Sequence, residues 1–514
     1  MIGRVFQVLV SVLQIYNRDL SCNILLCAAG QNTPGIVKVR RLNFKLSLAV
    51  LSASGVVAMA GGCMRVPPAP VDLPARAAAR VGGGLDVSAI AARAATLAPG
   101  TRRPEGGIDR LALFAAILSD DPRVAAARAG VVAARRDARL AHKAANPMLS
   151  VASDYTNDPS MPAPWTIGAT ADVQLDFGGR RAGRIRGADL GVVGAGYDLV
   201  EVVWAERIAA ARGLVDVFAG ERQVALGDEL VALYDRQLAA MRRRVDGGEM
   251  SALSLAPVRA ARAAAARARD DARARIVGGR AAIATVLGVP VSAFDGVALL
   301  WPDFDAVPPA PAITPGLKQA ALVHRADVMR TMVAYDQAEA ALRVEVARQT
   351  PSISLAPGYS WEGGLIHIPF GIALQAPSFD LNRSAIMAAE AHRAAAGQAI
   401  ESALADAQGA IDTAASERAA AEAALARLTH EELPQARLAA DRADAQLRLG
   451  AIDRADWAAA KSADAAARLA AIDALARLRL AQIGLEAALR RPLDGPETLI
   501  SVRTDPALAG DDRP

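Results

Sequence analysis

Between Trp165 and Phe177 apolar and polar residues alternate without a break. Trp165, Ile167, Ala169, Ala171, Val173, Leu175 and Phe177 take one set of places, and Thr166, Gly168, Thr170, Asp172, Gln174 and Asp176 the other. The same period of two runs through 366–375, with Ile366, Ile368, Phe370, Ile372 and Leu374 apolar. It recurs at Leu149, Val151 and Tyr155 and at Ile353, Leu355, Tyr359 and Trp361. Alternation over about ten residues predicts β-strands of membrane-spanning length at 148–157, 165–177, 352–361 and 366–377. A half-buried strand of a soluble sheet alternates in the same way. Tyr155, Trp165, Tyr359 and Trp361 stand at the strand ends nearest the hairpin loops, where an aromatic girdle would sit.

Elsewhere the pattern is helical. From Arg180 to Gly247 no proline interrupts 68 residues, a helix of about 100 Å. A second segment, 382–449, has the same length with one irregularity, Pro434. Shorter helices are expected at 109–146 and 250–288, each a little under about 60 Å, and at 316–349 and 452–490. Two short helices end to end therefore match one long one. Helices this long are unstable in water unless packed along their length, and the density of alanine suits close packing. Gly248 and Gly450 are the expected helix-reversal points.

These elements occur twice in one order: helix, strand, strand, long helix, turn, helix. "NPMLSV" (146–151) aligns with "TPSISL" (350–355), and "DFGGRRAGRI" with "SFDLNRSAIM", setting Phe177 on Phe379. Gly248 falls on Gly450 and Pro290 on Pro492, so one offset of 202–204 runs through the chain. The implied organisation is a first repeat over 109–290, a Pro-rich linker over 291–314, a second repeat over 315–492 and a tail over 493–514. Four strands cannot close a barrel in lipid, where each unpaired backbone group costs several kcal/mol, so a membrane sheet of this kind has to be completed by further copies.

The N-terminus reads as a targeting segment. Lys38, Arg40, Arg41 and Lys45 precede the apolar run "LSLAVLSASGVVAM", which is too short for a membrane span and ends in "AGGC". This resembles a lipoprotein signal over 1–62 with Cys63 as the lipidated first residue, followed by an extension over 63–108; residues 1–36 read as an over-called start. Removing 1–62 takes away six Lys/Arg and one Asp, leaving 52 basic against 53 acidic residues. The basic balance of the whole chain therefore gives no argument for nucleic acid. Of three cysteines only Cys63 remains, which excludes an internal disulfide. Aromatic residues make up 4% of the chain, and that composition favours long helices over a compact enzyme core.

Candidate chemistry is sparse. Gly178 and Gly183, five apart between strand and helix, suggest a phosphate loop, but Arg184 and Ile185 occupy the lysine and hydroxyl places. The histidines, at 142, 324, 367, 392 and 430, never share an i,i+4 pair, and "HEEL" at 430–433 lacks a second histidine. No metal site, cofactor or catalytic constellation is expected.

The duplicated layout over 109–492, carried by "NPMLSV"/"TPSISL", "LDFGGRRAGRI"/"PSFDLNRSAI", "RVDGGEMSALSLA"/"LRLGAIDRADWA" and "VLGVP", resembles the TolC family of outer-membrane efflux and secretion channels. With the lipobox, it is similar to the lipoprotein outer components of resistance–nodulation–division pumps, the heavy-metal branch included. The resemblance implies a homotrimer whose 12-stranded barrel crosses the outer membrane above a long α-helical barrel. It also implies a mid-height belt made by 64–108, 301–316 and 493–514, and a periplasmic adaptor and inner-membrane pump as partners. Arg244, Gly248, Met250, Ser251, Gly450, Ile452 and Asp453 are then the adaptor-contact candidates and Asp456 a gate carboxylate, although Ala459 replaces a second one. Gly178, Gly179, Arg180 and Arg181 form the strand-to-helix joint. There Arg180, Arg181, Arg184 and Arg186 would be placed to meet outer-membrane lipid phosphates by snorkelling. The function implied is a passive duct for drugs or metal ions. The alternatives are a channel for type I protein secretion, a lipidated periplasmic hairpin adaptor, and a nucleotide-binding protein built on the Gly178/Gly183 loop.

Overall fold

The structure, a computed structural model, describes residues 67–100, 104, 106–157, 164–175, 178–310, 312–376 and 379–500. The signal segment, Cys63, the strand ends at Asp176, Phe177 and Pro377, and the tail beyond Ile500 lie outside the described residues. The chain divides into two units, 1–72 and 73–514. The described part of the first, Pro67–Asp72, is an exposed irregular stretch. Everything below concerns the second.

Two short helices open it, α1 (Leu73–Val81) and α2 (Val87–Leu97), followed by a three-residue strand β1 (Gly107–Asp109). The single helix expected over 109–146 is two: α3 (Arg110–Asp120) and α4 (Pro122–Ala141). Asp121 divides them, because its carboxylate accepts from the backbone N–H of Arg123 and Val124 and Pro122 starts a new helix without needing a donor. Then come β2 (Met148–Tyr155), β3 (Trp165–Leu175), the long α5 (Arg180–Asp246) and α6 (Leu255–Leu287). After β4 (Ala298–Leu300) the order returns as α7 (Pro315–His324), α8 (Ala326–Ala347), β5 (Ser352–Glu362), β6 (Leu365–His367) and β7 (Phe370–Gln375). The chain closes with α9 (Arg383–Arg427), α10 (Leu433–Arg448) and α11 (Arg454–Leu489). A π-helical turn, Leu428–Glu432, separates α9 from α10, and Pro434 follows it at the start of α10.

Short helices do meet end to end along the long ones. The C-terminus of α6 abuts the start of α4, where a Cβ at Gly288 would lie 2.9 Å from Pro122. In the second repeat Arg325, at the start of α8, donates from Nη1 to the carbonyl of Ala488 near the end of α11 (2.6 Å). Both α4 and α6 pack on α5, whose 67 residues span about 100 Å.

The segment 291–314, expected as a linker, holds part of the largest core. Phe294, Trp301 and Phe304 are buried, Phe218 of α5 packs on the last two, and β4 pairs in parallel with β1. Spacing and proline content gave no sign of this, because the apolar residues there follow no period. Around Trp301 lies a buried charge network. Arg110 pairs with Asp494 (2.9 Å) and Glu497 (3.2 Å), Arg479 with Asp494 (3.0 Å), and Arg207 with Glu486 (2.7 Å). Both Arg110 and Arg479 lie over the Trp301 ring. Burial pushes the Glu486 carboxyl up despite Arg207. For Arg110 burial acts downward, but Glu497 and Asp494 outweigh it and hold the guanidinium above its ordinary value. Removing one partner of such a set leaves a buried charge uncompensated. The network therefore ties the segments 107–110 and 493–497 to Arg207 in α5 and to Arg479 and Glu486 in the C-terminal third of α11.

Candidate channel wall and helix tips

The sheet is built from two hairpins in the order β2-β3-β5, with β6 and β7 both on the far side of β5. The register of β6 on β5 (Trp361 opposite Ile366) continues into that of β7 (Ile353 opposite Leu374), so the two are one strand. Pro369 interrupts it by lacking a donor, although its carbonyl still accepts from Gly358 (2.8 Å). In antiparallel pairs opposite residues share a face, and the register places the apolar set together. Leu149 faces Ala171, Tyr155 faces Trp165, Ile167 faces Trp361, Ala169 faces Tyr359, and Leu355 faces Ile372. Leu149, Val151, Phe370, Ile372 and Leu374 are more than half exposed on this face. The other face carries Ser150, Asp154, Thr166, Thr170, Asp172, Gln174, Ser352, Ser354, Ser360, Glu362 and His367. Two cross-strand hydrogen bonds join it, Ser354 to Asp172 (2.9 Å) and Ser352 to Gln375 (3.0 Å). Tyr155 and Trp165 stack edge to face at the hairpin end, ring centroids 5.1 Å apart.

Each outer strand has one neighbour, so β2 and β6/β7 present free edges. An apolar face with two free edges is a wall section that other copies can extend. No described helix is long and apolar enough to cross a membrane.

At the joint, Gly178 and Gly179 both take left-handed backbone, φ +76° and +89°, and α5 begins at Arg180. In the second repeat Leu381 and Asn382 do the same, φ +54° and +59°, and α9 begins at Arg383. Both bends use a pair of left-handed residues, but the second lies one residue later than the Phe177/Phe379 alignment implies, at an offset of 203. Asn382 secures it by donating to the Glu345 carbonyl (2.8 Å) and carboxylate (2.9 Å). Arg180 and Arg181 both reach back to the helices. Arg180 donates to the carbonyls of Ala347 and Thr350, and Arg181 to that of His142 (2.6 Å). They bind carbonyls at the ends of α8 and α4, where a cation also meets the negative end of the helix dipole. Gly183 lies buried inside α5, where a Cβ would stand 2.5 Å from Val344. The spacing that suggests a phosphate loop is a helix contact.

The tips turn alike. Beyond α5, Gly248 N–H reaches Val245 and Glu249 N–H reaches Arg244; beyond α10, Gly450 N–H reaches Leu447 and Ala451 N–H reaches Gln446. Each tip thus satisfies its last helical carbonyls by the same paired bonds. Arg244, Gly248, Ser251, Gly450 and Asp453 are exposed; Met250 and Ile452 are half-buried. Arg244 pairs with Glu249 (3.3 Å), and Ser251 caps the 3₁₀ turn Ala252–Ser254. Asp453 is occupied as the N-cap of α11, accepting from Ala455 and Asp456 (2.7 and 2.8 Å). Asp456 is exposed in the first turn, a position at which a carboxylate is stabilised by the helix N-terminus. Just behind the second tip Asp444 accepts from Trp457 Nε1 (2.6 Å) and Lys461 Nζ (2.5 Å). Burial raises its carboxyl, but these two partners outweigh burial and hold it below the ordinary range. No group of three or more His, Cys, Asp or Glu among the described residues could hold a metal ion.

One feature escaped the sequence reading. Gly213, Gly220 and Gly227 recur every seven residues along α5 and face α6: a Cβ at Gly213 would lie 2.9 Å from the Gly279 carbonyl, one at Gly220 2.7 Å from Ile276 and one at Gly227 2.7 Å from Arg269. A seven-residue repeat keeps one stripe facing a partner helix. Counting glycines at that spacing would have found the seam.

The family model for outer membrane efflux proteins matches residues 113–289. No curated protein sequence matches the chain. Solved structures do. CusC, described in terms of conformational changes on folding and transmembrane channel formation, is 19% identical with a TM-score of 0.63, over 76% of this chain and 99% of that one. MtrE of Neisseria gonorrhoeae, an outer membrane channel in its open state, is 19% identical at TM-score 0.63, over 74% and 89%. The outer membrane protein VceC of Vibrio cholerae is 16% identical at TM-score 0.61, over 74% and 96%. At such identities the likeness carries the fold, a helical barrel joined to a β-barrel. The family model for outer membrane efflux proteins thus matches residues 113–289, and the chain shares the fold of these outer membrane channels.

Proposed function

We propose that this protein is the outer-membrane duct of a tripartite efflux system, a homotrimer anchored through Cys63 that passes small toxic compounds, drugs or metal ions. The observation that carries this reading is the sheet: one apolar face, one polar face and two free edges, mounted on helices of about 100 Å. Three copies supply 12 strands, enough for a barrel with a lumen. The tips around Gly248 and Gly450, at the far end of the helices, meet the periplasmic adaptor, and an inner-membrane pump supplies the energy. Asp456 narrows the tip entrance as a carboxylate ring. A periplasmic hairpin scaffold needs no sheet of this kind, which argues against that alternative.

The test is purification from membranes with detergent, followed by mild SDS electrophoresis and planar-bilayer recording. A heat-sensitive trimer that conducts ions is expected. A soluble, non-conducting monomer after removal of the lipid anchor would overturn the proposal. Cysteines placed at Gly248 and Gly450 are expected to crosslink to a periplasmic protein, whereas one at Gly130 on α4 is not.

A further inference from the structure

Proline is rare inside a sheet because it cannot donate to a neighbouring strand. Here Pro357 lies in β5, which has neighbours on both sides, and Pro369 lies opposite Gly358 where β6 passes into β7. The ladder between β3 and β5 pairs Thr170 with Gly358 and Val173 with Leu355, with no pair between them. The ladder from β5 to β6/β7 pairs Pro357 with Phe370 and Ser360 with His367, again with none between. Register is the same on both sides of each gap, so no residue is inserted and neither gap is a bulge. Each gap is what one missing donor produces. Pro357 cannot donate to the Ala171 carbonyl opposite it, and Pro369 cannot donate to that of Gly358.

The two gaps adjoin. Ala171 and Asp172, Ala356 and Pro357, Gly358 and Tyr359, and Ile368 and Pro369 form one line across three strands. β2 begins at this level, its first residue Met148 standing opposite Asp172. Where the line crosses β5, the strands approach closely: a Cβ at Gly358 would lie 2.8 Å from Thr170 Cγ2 and 3.0 Å from the Pro369 ring. The line divides the sheet. On its helix side is a collar of 173–175, 352–355 and 372–375, next to the joints that Arg180 and Asn382 secure. The Ser352–Gln375 bond lies within this collar, and Ser354 reaches from it to Asp172 on the line. Among the described residues no side-chain hydrogen bond joins strands on the hairpin side.

We infer that this line is a hinge in the wall, about which the hairpin side of the sheet tilts while the collar stays fixed to the helices. Two adjoining ladder bonds are missing at one level, which makes it the softest level of the sheet. In an assembled barrel, tilting there changes the bore at the hairpin end and leaves the bore beside the helices constant. The change of bore, unlike the hinge, rests on the channel reading above.

Hydrogen exchange of the purified protein in lipid nanodiscs, read by mass spectrometry, tests the hinge. Amides of 170–172 and 356–359 are expected to exchange about tenfold faster than those of the collar and of 166–168. The variant Pro357→Val/Pro369→Thr supplies both donors and keeps the apolar and polar faces, and in it the excess is expected to vanish. Spin labels at Asp154→Cys and, in a separate protein, at Gln174→Cys test the bore. The spread of distances between copies is expected to be about twice as wide at 154 as at 174, and to narrow to match in the proline variant. Uniform exchange across the line in the wild type overturns the hinge, whether or not the proline variant assembles, and leaves the channel standing. So does an excess that survives both substitutions. Equal spreads at 154 and 174 overturn the change of bore. The absence of any distance between copies overturns the channel reading and the change of bore with it.

Discussion

The two helical hairpins descend from one repeated pattern, yet they are held together by different means. In the first, α5 and α6 touch backbone to backbone at Gly213 and Gly279, and the glycines repeat every seven residues. In the second, the heptad places of α9 that face α11 carry Ile411, Arg418 and Leu425, all buried. Arg418 is held there by Gln482 (2.5 Å), Glu422 (2.8 Å) and the Pro308 carbonyl (3.0 Å). The first long helix runs unbroken for 67 residues, while the second changes to π geometry at Leu428–Glu432. A shared length pattern thus permits a close-packed hairpin and one spaced by larger side chains with a helical irregularity. Duplication fixed the geometry that both need, and divergence set how each is secured.

The largest expected effect comes from closing the glycine seam. In Gly279→Ala the new methyl would stand 2.6 Å from the Gly213 carbonyl and 2.9 Å from Val217. Backbone cannot yield cheaply, so overpacking outweighs the helix-propensity gain and the protein loses about 1–2 kcal/mol. By contrast Gly409→Ala, on the exposed side of α9, meets nothing within 4 Å and is expected to gain about 0.5–1 kcal/mol. Thermal unfolding of the two variants side by side checks the pair. Equal shifts would mean that the Gly213/Gly279 contact yields to a methyl group.

The joints sharpen the comparison in the opposite sense. All three described non-glycine residues with positive φ, Leu381, Asn382 and Arg490, lie in the second repeat, where the first repeat uses Gly178, Gly179 and Gly288. Asn tolerates this backbone; a leucine there is strained. Leu381→Gly is therefore expected to stabilise the protein by about 0.5–1 kcal/mol. Gly178→Leu destabilises it, because a Cβ there would also meet Thr350 Oγ1 at 2.6 Å. Denaturant midpoints measure both, and a loss in Leu381→Gly would show that the leucine side chain, not the backbone, holds the bend.

The smallest effect is at the tips. The Asp444 carboxyl titrates below its ordinary value, so its contribution is present above the ordinary carboxylate range and is lost as pH falls through the depressed value. Acidification is expected to shift the fluorescence of Trp457, isolated by subtracting the spectrum of W457F. In Asp444→Asn the step is absent. The first tip, whose nearest pair is Arg244–Glu249, has no equivalent clamp among the described residues. A pH step that persists in Asp444→Asn would assign it elsewhere.

Much of this was legible in the sequence because it rests on period. Alternation located the strands, the absence of proline located α5, and Pro434 marked the helix that changes geometry. What was hidden depends on contacts without a period. The breaks at Asp121 and Arg325 come from capping and local chain direction. The burial of Trp301 and Phe304 depends on partners some 190 residues away, such as Asp494, which pairs with the Arg110 and Arg479 that flank Trp301. The left-handed pair Leu381–Asn382 was invisible because glycine was the signal and the second repeat does not use it. The carbonyl partners of Arg180 and Arg181 were hidden for a related reason: the carbonyl ends of α8 and α4 leave no trace in composition.

On the proposed function, the free edges of β2 and β6/β7 bear on how the chain would reach its membrane. A lone chain in hydrocarbon would leave every second backbone group of an eight-residue edge strand without a partner, at several kcal/mol for each group. On that reading an inserted monomer would not be a state that the chain populates. Insertion and association become a single event of high order in chain concentration, so the number of completed pores rises more steeply than the number of chains made. A small loss of expression or of folded protomer would silence the duct long before the polypeptide itself disappeared.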